Sequence, residues 1–433
     1  MPGAAPPSAP AGDAARSSRR AVEAVWRIES GRLIAALARV TRDVGLAEEL
    51  AQDALVAALE QWPRTGVPPN PAGWLMATAK NRAIDAHRRR ATLQRKVDLL
   101  EREADLAQEV MEAEVDEALD DHIGDDLLRL VFTACHPALS LESRVALTLR
   151  CLGGLSTHEI ARAFLVPEAT AAQRIVRAKR TLTEQRVVFE LPDPEQMSQR
   201  LAAVLEVVYL VFNEGYAATV GDDWTRPALC EEALRLGRIL AALAPAEPEV
   251  HGLLALMEIQ ASRLPARTDA DGIPVLLADQ DRRRWDRLLV RRGLASLASA
   301  QSCDAPIGPY TLQAGIAACH ARAATAEDTD WAEIASLYGV LSKLWPTPVV
   351  ELNRAVAVSM AADPAAGLAI VDRLSDEGTL KDYPQLAAVR GDLLARLGRV
   401  AEARAEFDRA ASLTGNARER AMFLSRAAEL GSR

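Results

Sequence analysis

The stretch Leu155–Arg180, LSTHEIARAFLVPEATAAQRIVRAKR, predicts a helix-turn-helix with a basic second helix. Ser156 and Glu159 have the spacing of a capping box, in which each side chain satisfies an amide at a helix start. Pro167 predicts the end of the first helix, because its ring removes a donor and disfavours helical geometry in the preceding residue. Thr170 is then expected to open the second helix.

The second helix carries basic side chains among small and apolar ones. A helix held across a short turn fits the major groove of DNA, where guanidinium groups bind phosphates or guanine edges. An alanine (Ala171 or Ala172) could contact a thymine methyl group, and Gln173 could pair with an adenine. The alternative for this segment is an ordinary helical hairpin with a solvated charged face. The basic residues are Arg174, Arg177, Lys179 and Arg180.

A second basic segment, Asn70–Arg90 (NPAGWLMATAKNRAIDAHRRR), lies upstream. An aromatic residue, Trp74, among so many basic residues suits contact with phosphates and unstacked bases. The preceding segment, Asp43–Trp62 (DVGLAEELAQDALVAALEQW), is acidic and amphipathic and cannot itself bind DNA. An acidic spacer, Asp98–Asp126, follows the basic segment, and the ordinary interpretation of such a charge run is a solvated linker or an amphipathic acidic helix.

The order of these segments resembles the bacterial sigma factors of the extracytoplasmic-function type. The matching residues are AEELAQDALVAALEQW (region 2.2), WLMATAKNRAIDAHRRR (regions 2.3 and 2.4) and LSTHEIARAFLVPEATAAQRIVRAKRTL (region 4.2). The resemblance implies that the acidic helix docks on the clamp helices of RNA polymerase. It also implies that the basic helix recognises and melts the −10 promoter element, that the helix-turn-helix reads the −35 element, and that the acidic spacer threads the RNA path of the polymerase.

The resemblance also implies roles for particular residues. Trp74 could instead be a core anchor, Asp53 a solvated charge, and Asp85 an ion-pair partner of a neighbouring arginine. The helix-turn-helix departs from its relatives at positions 171–173, where they commonly have Lys and Ser, so the −35 sequence cannot be copied from them. Contact with core RNA polymerase is implied for Leu50, Gln52, Asp53 and Leu55. Contact with promoter DNA is implied at −10 for Trp74, Asn81, Arg82, Arg88 and Arg89, and at −35 for Thr170, Gln173, Arg174, Arg177 and Lys179.

Composition places limits on the rest of the chain. Its 433 residues suggest two to four domains, and alanine-rich helical periodicity predicts an almost wholly α-helical protein. A formal net charge of −9 argues against affinity for bulk DNA, so DNA binding would depend on local basic patches and a partner. The sequence has no apolar run of 18 residues and no signal-peptide core, so a cytoplasmic location without membrane contact is expected.

The sequence predicts neither a metal site nor a catalytic site. The five cysteines form no C-x-x-C motif. The adjacent pairs Cys135–His136 and Cys319–His320 cannot readily chelate one ion each, so buried cysteines, no metal and no cofactor are expected. The chain has no Gly-rich phosphate loop, H-E-x-x-H or G-x-S-x-G, so it is not expected to be an enzyme. Asp271–Gly272 predicts a small β-hairpin rather than a cation site.

The second half of the chain has no counterpart in a minimal sigma factor. Its last part has the spacing of a tetratricopeptide repeat, in which small residues let two helices approach and an aromatic residue fills the gap. A weaker copy of the repeat covers Glu351–Leu374. The segment Arg226–Arg263 has a similar helix-turn-helix pattern. A continuous solenoid-like stack of helices is therefore expected. Sigma factors with such an extension form a group thought to be controlled through it. A concave helical array could bind a peptide or protein partner, or fold back on the basic helix at Lys80–Arg90. The alternative is that the extension only adds stability or a contact with polymerase. The repeat residues are Gly391, Gly398, Ala403, Phe407 and Ala410.

The predicted organisation has five parts: a disordered tail (1–18), sigma region 2 (19–92), the acidic linker (93–124), sigma region 4 (125–187) and the helical extension (188–433). Two other functions remain open. A stand-alone helix-turn-helix regulator with a tetratricopeptide sensor would bind DNA tightly without polymerase. A scaffold protein would not depend on DNA at all.

Overall fold

The computed structural model describes residues 11–95, 123–217, 224–270 and 272–431. Within these ranges it has eighteen α-helices and no sheet, which confirms the predicted all-α fold. Most of the predicted acidic spacer falls outside the described residues. The first nine helices are α1 Ala11–Thr41, α2 Val44–Thr65, α3 Pro71–Arg95, α4 Ile123–Ala134, α5 Leu141–Cys151, α6 Thr157–Ala163, α7 Glu168–Glu184, α8 Pro194–Tyr216 and α9 Pro227–Leu243. The others are α10 Pro248–Ala261, α11 Arg287–Ser302, α12 Pro309–Arg322, α13 Trp331–Leu344, α14 Pro348–Ala361, α15 Pro364–Glu377, α16 Pro384–Arg396, α17 Val400–Leu413 and α18 Ala417–Gly431.

The chain divides into two compact units, Met1–Val207 and Val208–Arg433. Helix α1 already begins at Ala11, so part of the segment assigned to a tail is helical. None of the helices in the described ranges is long and apolar enough to cross a membrane.

The first unit is built on the close packing of α1 against α2. Ala47, Ala51, Ala54 and Ala58 recur every three or four residues along α2 and are fully buried. This spacing puts them on one face of the helix, and their small side chains let the two helices approach closely. Trp62 is 1% exposed, and its indole fills the space at the end of the same helix.

The last helices of the second unit pack as the repeat spacing predicts. A side chain at Gly391 on α16 would meet the carbonyl oxygen of Ala403 and the ring of Phe407 on α17, each at 3.2 Å. Ala403, Phe407 and Ala410 are at most 1% exposed. Gly398 has a φ of 76° in the turn between the helices, where a glycine avoids the cost of the left-handed conformation.

The weaker repeat also forms a pair of packed helices, α14 and α15. Asp363 begins α15 by accepting a hydrogen bond from the Ala365 amide at 3.2 Å. A Cβ atom at Gly367 would lie 2.8 Å from the carbonyl oxygen of Ala355, so only a glycine permits this distance between the two helices. Leu374 is buried in the core that the two helices share with α16.

Of the β-hairpin predicted around Asp271–Gly272, the turn forms but the strands do not. The chain does turn there, with a φ of 76° at Gly272 and a hydrogen bond of 3.0 Å from the Asp269 amide to the Ile273 carbonyl. The described residues form one isolated antiparallel bridge, between Thr268 and Pro274, and no strand. Proline has no amide hydrogen, so it cannot donate to a longer ladder.

Candidate nucleic-acid interface

The predicted helix-turn-helix is present as α6 and α7. The Glu159 amide donates to Ser156 Oγ at 3.2 Å, and the Ser156 amide donates to the Glu159 carboxylate at 2.8 Å, so the capping box is complete. The prediction that Thr170 opens the second helix is wrong, because α7 begins at Glu168. The Pro167 carbonyl accepts hydrogen bonds from the amides of residues 170 and 171, which places Thr170 inside the first turn.

Helix α7 has a buried face and an open face. Ala171, Ile175 and Ala178 are buried against the rest of the first unit. A thymine contact is therefore excluded for Ala171, whose methyl group is 0% exposed, but not for Ala172, which is half-buried. The open face carries the exposed side chains of Gln173, Val176, Arg177 and Arg180 and the half-buried ones of Thr170 and Arg174, and the half-buried Lys179 lies at its edge towards α2.

Lys179 differs from the other predicted −35 residues because it is already paired. Its ammonium group bonds to the carboxylate of Glu48 on α2 and lies 3.9 Å from that of Glu49. Arg150 on α5 donates from Nε to the second oxygen of Glu48 at 2.7 Å. The side chain of Lys179 is 18% exposed, so in this structure most of it is turned away from solvent and towards α2.

The predicted −10 residues lie along α3 in different environments. The Trp74 ring meets Trp62 edge to face at 5.5 Å between centroids, which supports its interpretation as a core anchor. Asn81 is exposed. Arg82 forms an ion pair of 3.2 Å with Asp53 on α2, and both side chains are at least 40% exposed, so solvent weakens this pair. The side chains of Arg88 and Arg89 lie outside the described residues.

The predicted polymerase-binding residues of α2 do not share one surface. Leu50 is 5% exposed and belongs to the core, where it supports the helix. Asp53 is exposed. Gln52 and Leu55 line a cleft of about 600 Å³, which Glu159 also lines. Helix α2 therefore presents an acidic side chain to solvent and a second group of residues to this cleft.

The two Cys–His pairs have ordinary structural environments. Burial raises the pKa of Cys135 to about 11 and that of Cys319 to about 12, so both thiols stay protonated at neutral pH. The ring of His320 meets Trp331 edge to face at 5.1 Å. No group of three His, Cys, Asp or Glu side chains among the described residues is arranged to hold a metal ion.

The stability of the second unit is expected to fall in acid because of His320. Burial, with smaller contributions from Arg263 and Arg282, lowers the pKa of His320 to about 4. An unfolded histidine has a pKa of about 6.5, so only the unfolded chain gains this proton between pH 6.5 and 4. This proton therefore leaves the free energy of unfolding unchanged above pH 6.5. Between pH 6.5 and 4 it lowers the free energy of unfolding, by about 3 kcal/mol at most.

Hydrogen exchange of the α12 amides in the full chain measures this effect. His320→Phe should reduce the pH dependence, while His251→Gln, which replaces a half-buried histidine on α10, should leave it unchanged. An equal pH dependence in the native chain and in His320→Phe would contradict the prediction.

Comparison with known protein families decides what these elements are. Sigma-70 region 2 matches residues 27–92, and sigma-70 region 4 matches residues 129–182. The chain belongs to the sigma-70 family. Its architecture is that of the extracytoplasmic-function sigma factors with an added C-terminal domain, and residues 200–301 of that domain match a family of unknown function (DUF6596).

A protein of similar length is similar in sequence to most of this sigma factor. An uncharacterized protein of Rhizobium meliloti is 48% identical over 387 residues, which cover 89% of this chain and 90% of the relative. No solved structure matches the chain. The two sigma regions imply core RNA polymerase and promoter DNA as partners of this sigma factor.

Sequence reasoning missed Glu48 and Arg150 in this sigma factor. Glu48 lies on region 2, and its two partners lie 102 and 131 residues further along the chain, in region 4. A helical period shows that residue 48 is near the apolar face of α2, but no local pattern indicates what a carboxylate there would bind. The contact follows from the packing of region 2 on region 4, which the sequence does not specify locally.

Proposed function

We propose that this sigma factor binds core polymerase through α2, recognises the −10 element through α3 and the −35 element through α7, and is regulated by its C-terminal extension. The open face of α7 is the main support for this proposal. That face combines the exposed side chains of Gln173 and Arg177 with Arg174 on a helix that a capped α6 holds in place. Arginine can bind guanine and phosphates, and glutamine can bind adenine, in the major groove.

The proposed contact with the −10 element is assigned to α3, and the proposed contact with core polymerase to α2. Asn81 offers an exposed amide, and Arg82 can leave a solvent-exposed ion pair at low cost when DNA approaches. Asp53 is the partner that Arg82 would release, and it would then be open to basic groups of the polymerase. The net charge of −9 disfavours DNA binding by the sigma factor alone. It therefore supports a mechanism in which the polymerase brings the sigma factor to DNA.

Regulation by the extension rests on its size and construction. The second unit has several buried cores of its own, formed by stacked helices. Stacked helical pairs commonly bind peptides or protein segments along their surfaces. A peptide or protein partner is the class of signal that this architecture suits.

Reconstituted transcription tests the proposal. Core RNA polymerase with the full chain should initiate from a target promoter, whereas core polymerase alone should not. A chain ending at Ala217 tests regulation, because it keeps the contacts that Arg200 and Glu206 of α8 make within the first unit. Equal output from the two chains would contradict regulation of initiation. Tight, specific DNA binding by the full chain alone, without initiation, would favour the stand-alone regulator.

A further inference from the structure

Three arginines in the second unit, which we call the arginine cluster, have only neutral partners among the described residues. Arg267 and Arg282 are 7% and 8% exposed, and Arg263 is half-buried. Arg282 donates to two backbone carbonyls and to the hydroxyl of Thr329. The guanidinium group of Arg267 packs on aromatic rings, with its Cζ 3.5 Å from the ring centroid of Tyr216. Burying positive charges without a carboxylate is costly, so the cluster calls for an explanation.

Shared neighbours hold Arg263 close to the other two arginines. Its Nη1 donates to Gln260 Oε1 at 2.8 Å, and the Tyr216 hydroxyl donates to the same oxygen at 2.9 Å. Arg263 and Arg282 lie 5.6 and 5.1 Å from the ring centroid of Trp285. Tyr216 therefore links Arg263 to Arg267, and Trp285 links it to Arg282.

The electrostatics confirm that the three charges act on one another. Burial lowers the pKa of Arg263, and the charges of Arg267 and Arg282 lower it further, while Tyr216 opposes them. The guanidinium groups therefore repel one another in a partly desolvated place. Negative charge bound among them would remove this repulsion.

The same region contains buried donors that lack an acceptor. Among the described residues, Arg267 Nε, Arg282 Nε and Trp285 Nε1 are buried and make no hydrogen bond. All three are donors only, because neither a guanidinium nor an indole nitrogen accepts a hydrogen bond. Buried donors without an acceptor are rare in native proteins. The region therefore has an excess both of positive charge and of hydrogen-bond donors, and an oxyanion offers the opposite of each.

The acidic residues near the cluster do not neutralise it. Asp281 forms an ion pair of 2.9 Å with the exposed Arg283. Burial lowers the pKa of Arg282, and the exposed Glu327 and Asp328 oppose that shift from a distance. Neither of these two carboxylates is among the hydrogen-bond partners of Arg282 in the described part of the chain.

We propose that the arginine cluster binds a small molecule through a carboxylate or phosphate group. Within the described residues, both terminal nitrogens of Arg267 and Nη2 of Arg263 donate to no acceptor, so they are available to the oxygens of such a group. The edge of a guanidinium group matches two oxygens of a carboxylate or a phosphate. The half-buried rings of Tyr216 and Trp224 lie beside Arg267 and offer apolar contact to the rest of the ligand.

The burial of the cluster selects a small ligand over a nucleic acid. Phosphates of a DNA backbone are bound by cations at the protein surface, whereas Arg267 is almost wholly buried. All the residues of the site belong to the second unit. Ligand binding at this site is therefore independent of the contacts proposed with polymerase and promoter DNA, and each can fail without the other.

Titration of the full chain with inorganic phosphate and, separately, with malonate tests the proposal. At constant ionic strength set with sodium chloride, one of the two anions should bind with a dissociation constant of about 1 mM or less, as two charge-assisted hydrogen bonds provide. At ten times that concentration, hydrogen exchange of the α10 amides should slow by about tenfold. Tighter binding of phosphate would identify a phosphate ligand, and tighter binding of malonate a carboxylate. Exchange that neither anion slows more than chloride would overturn the proposal.

Arg267→Met separates a binding role from a structural one. Loss of a buried unpaired charge should leave exchange of the α10 amides at least as slow as in the native chain without anion, and should abolish the response to anion. An arginine that only packs on Tyr216 predicts faster exchange without anion and an unchanged response, and this result would contradict the site.

Two further variants complete the test. Arg267→Lys keeps the charge but cannot bind two oxygens in parallel, so it should weaken anion binding by about tenfold. Arg291→Met removes an exposed arginine from α11 and should keep the native response. Native affinity in Arg267→Lys, or loss of the response in Arg291→Met, would remove Arg267 from the site.

Discussion

Replacing Arg174 and Arg177 together by alanine should reduce initiation from a target promoter by about two to four orders of magnitude. Each arginine that binds a base through two hydrogen bonds contributes about 1–3 kcal/mol. Both residues lie on the open face of α7, away from its buried residues Ala171, Ile175 and Ala178. The substitutions should therefore leave the fold and the affinity for core polymerase intact, and the loss should appear in promoter binding and in transcript yield.

Arg292→Ala is the matched control, because it removes an exposed arginine from the extension. It should leave the transcript yield within about twofold of the native yield, as expected for a surface substitution worth about 0.5 kcal/mol or less. Transcript yield from the double variant equal to that of the control would remove both arginines from the −35 interface.

Phe407→Ala should lower the free energy of unfolding of the extension by about 3–5 kcal/mol. The ring is 1% exposed and occupies the gap that Gly391 leaves between α16 and α17. The guanidinium group of Arg426 lies 4.4 Å from the ring centroid and is also paired with Asp392. Removing the ring creates a cavity and takes away the face against which this ion pair packs.

Denaturant unfolding of the full chain, with hydrogen exchange of α16 and α17 as the local measurement, tests this prediction. Leu424→Ala on α18 is the control, since that side chain is 49% exposed and its loss should change stability by about 0.5 kcal/mol or less. A loss below about 1 kcal/mol for Phe407→Ala would show that the ring is not the packing centre of this helix pair.

The elements that could be predicted from the sequence are those that local patterns encode. The capping box of Ser156 and Glu159 is formed by residues three positions apart, so both its presence and its geometry follow from the sequence. The same holds for the packing of Phe407 against Gly391, which a fixed repeat spacing specifies. The start of α7 was predicted two residues late, because the Pro167 carbonyl, which no side-chain pattern reveals, accepts the first helical hydrogen bonds.

The features that could not be predicted depend on distant contacts. Leu50 was assigned to the polymerase surface by its place in a motif, and no local pattern shows that the fold leaves it only 5% exposed. The hairpin at Gly272 was predicted from a turn signal, and the proline that follows limits it to one bridge. The bond from Glu48 to Lys179 joins residues 131 positions apart, so only the folded chain shows that α2 and α7 are in contact.

Equilibrium binding of the full chain to purified core RNA polymerase tests the central claim most directly. The account predicts saturable binding at one sigma factor per polymerase. Asp53→Lys should weaken that binding, because it reverses an exposed charge on α2, and Asp408→Lys, an exposed reversal in the extension, should not. An absence of binding, or binding that Asp53→Lys leaves unchanged, would contradict docking through α2.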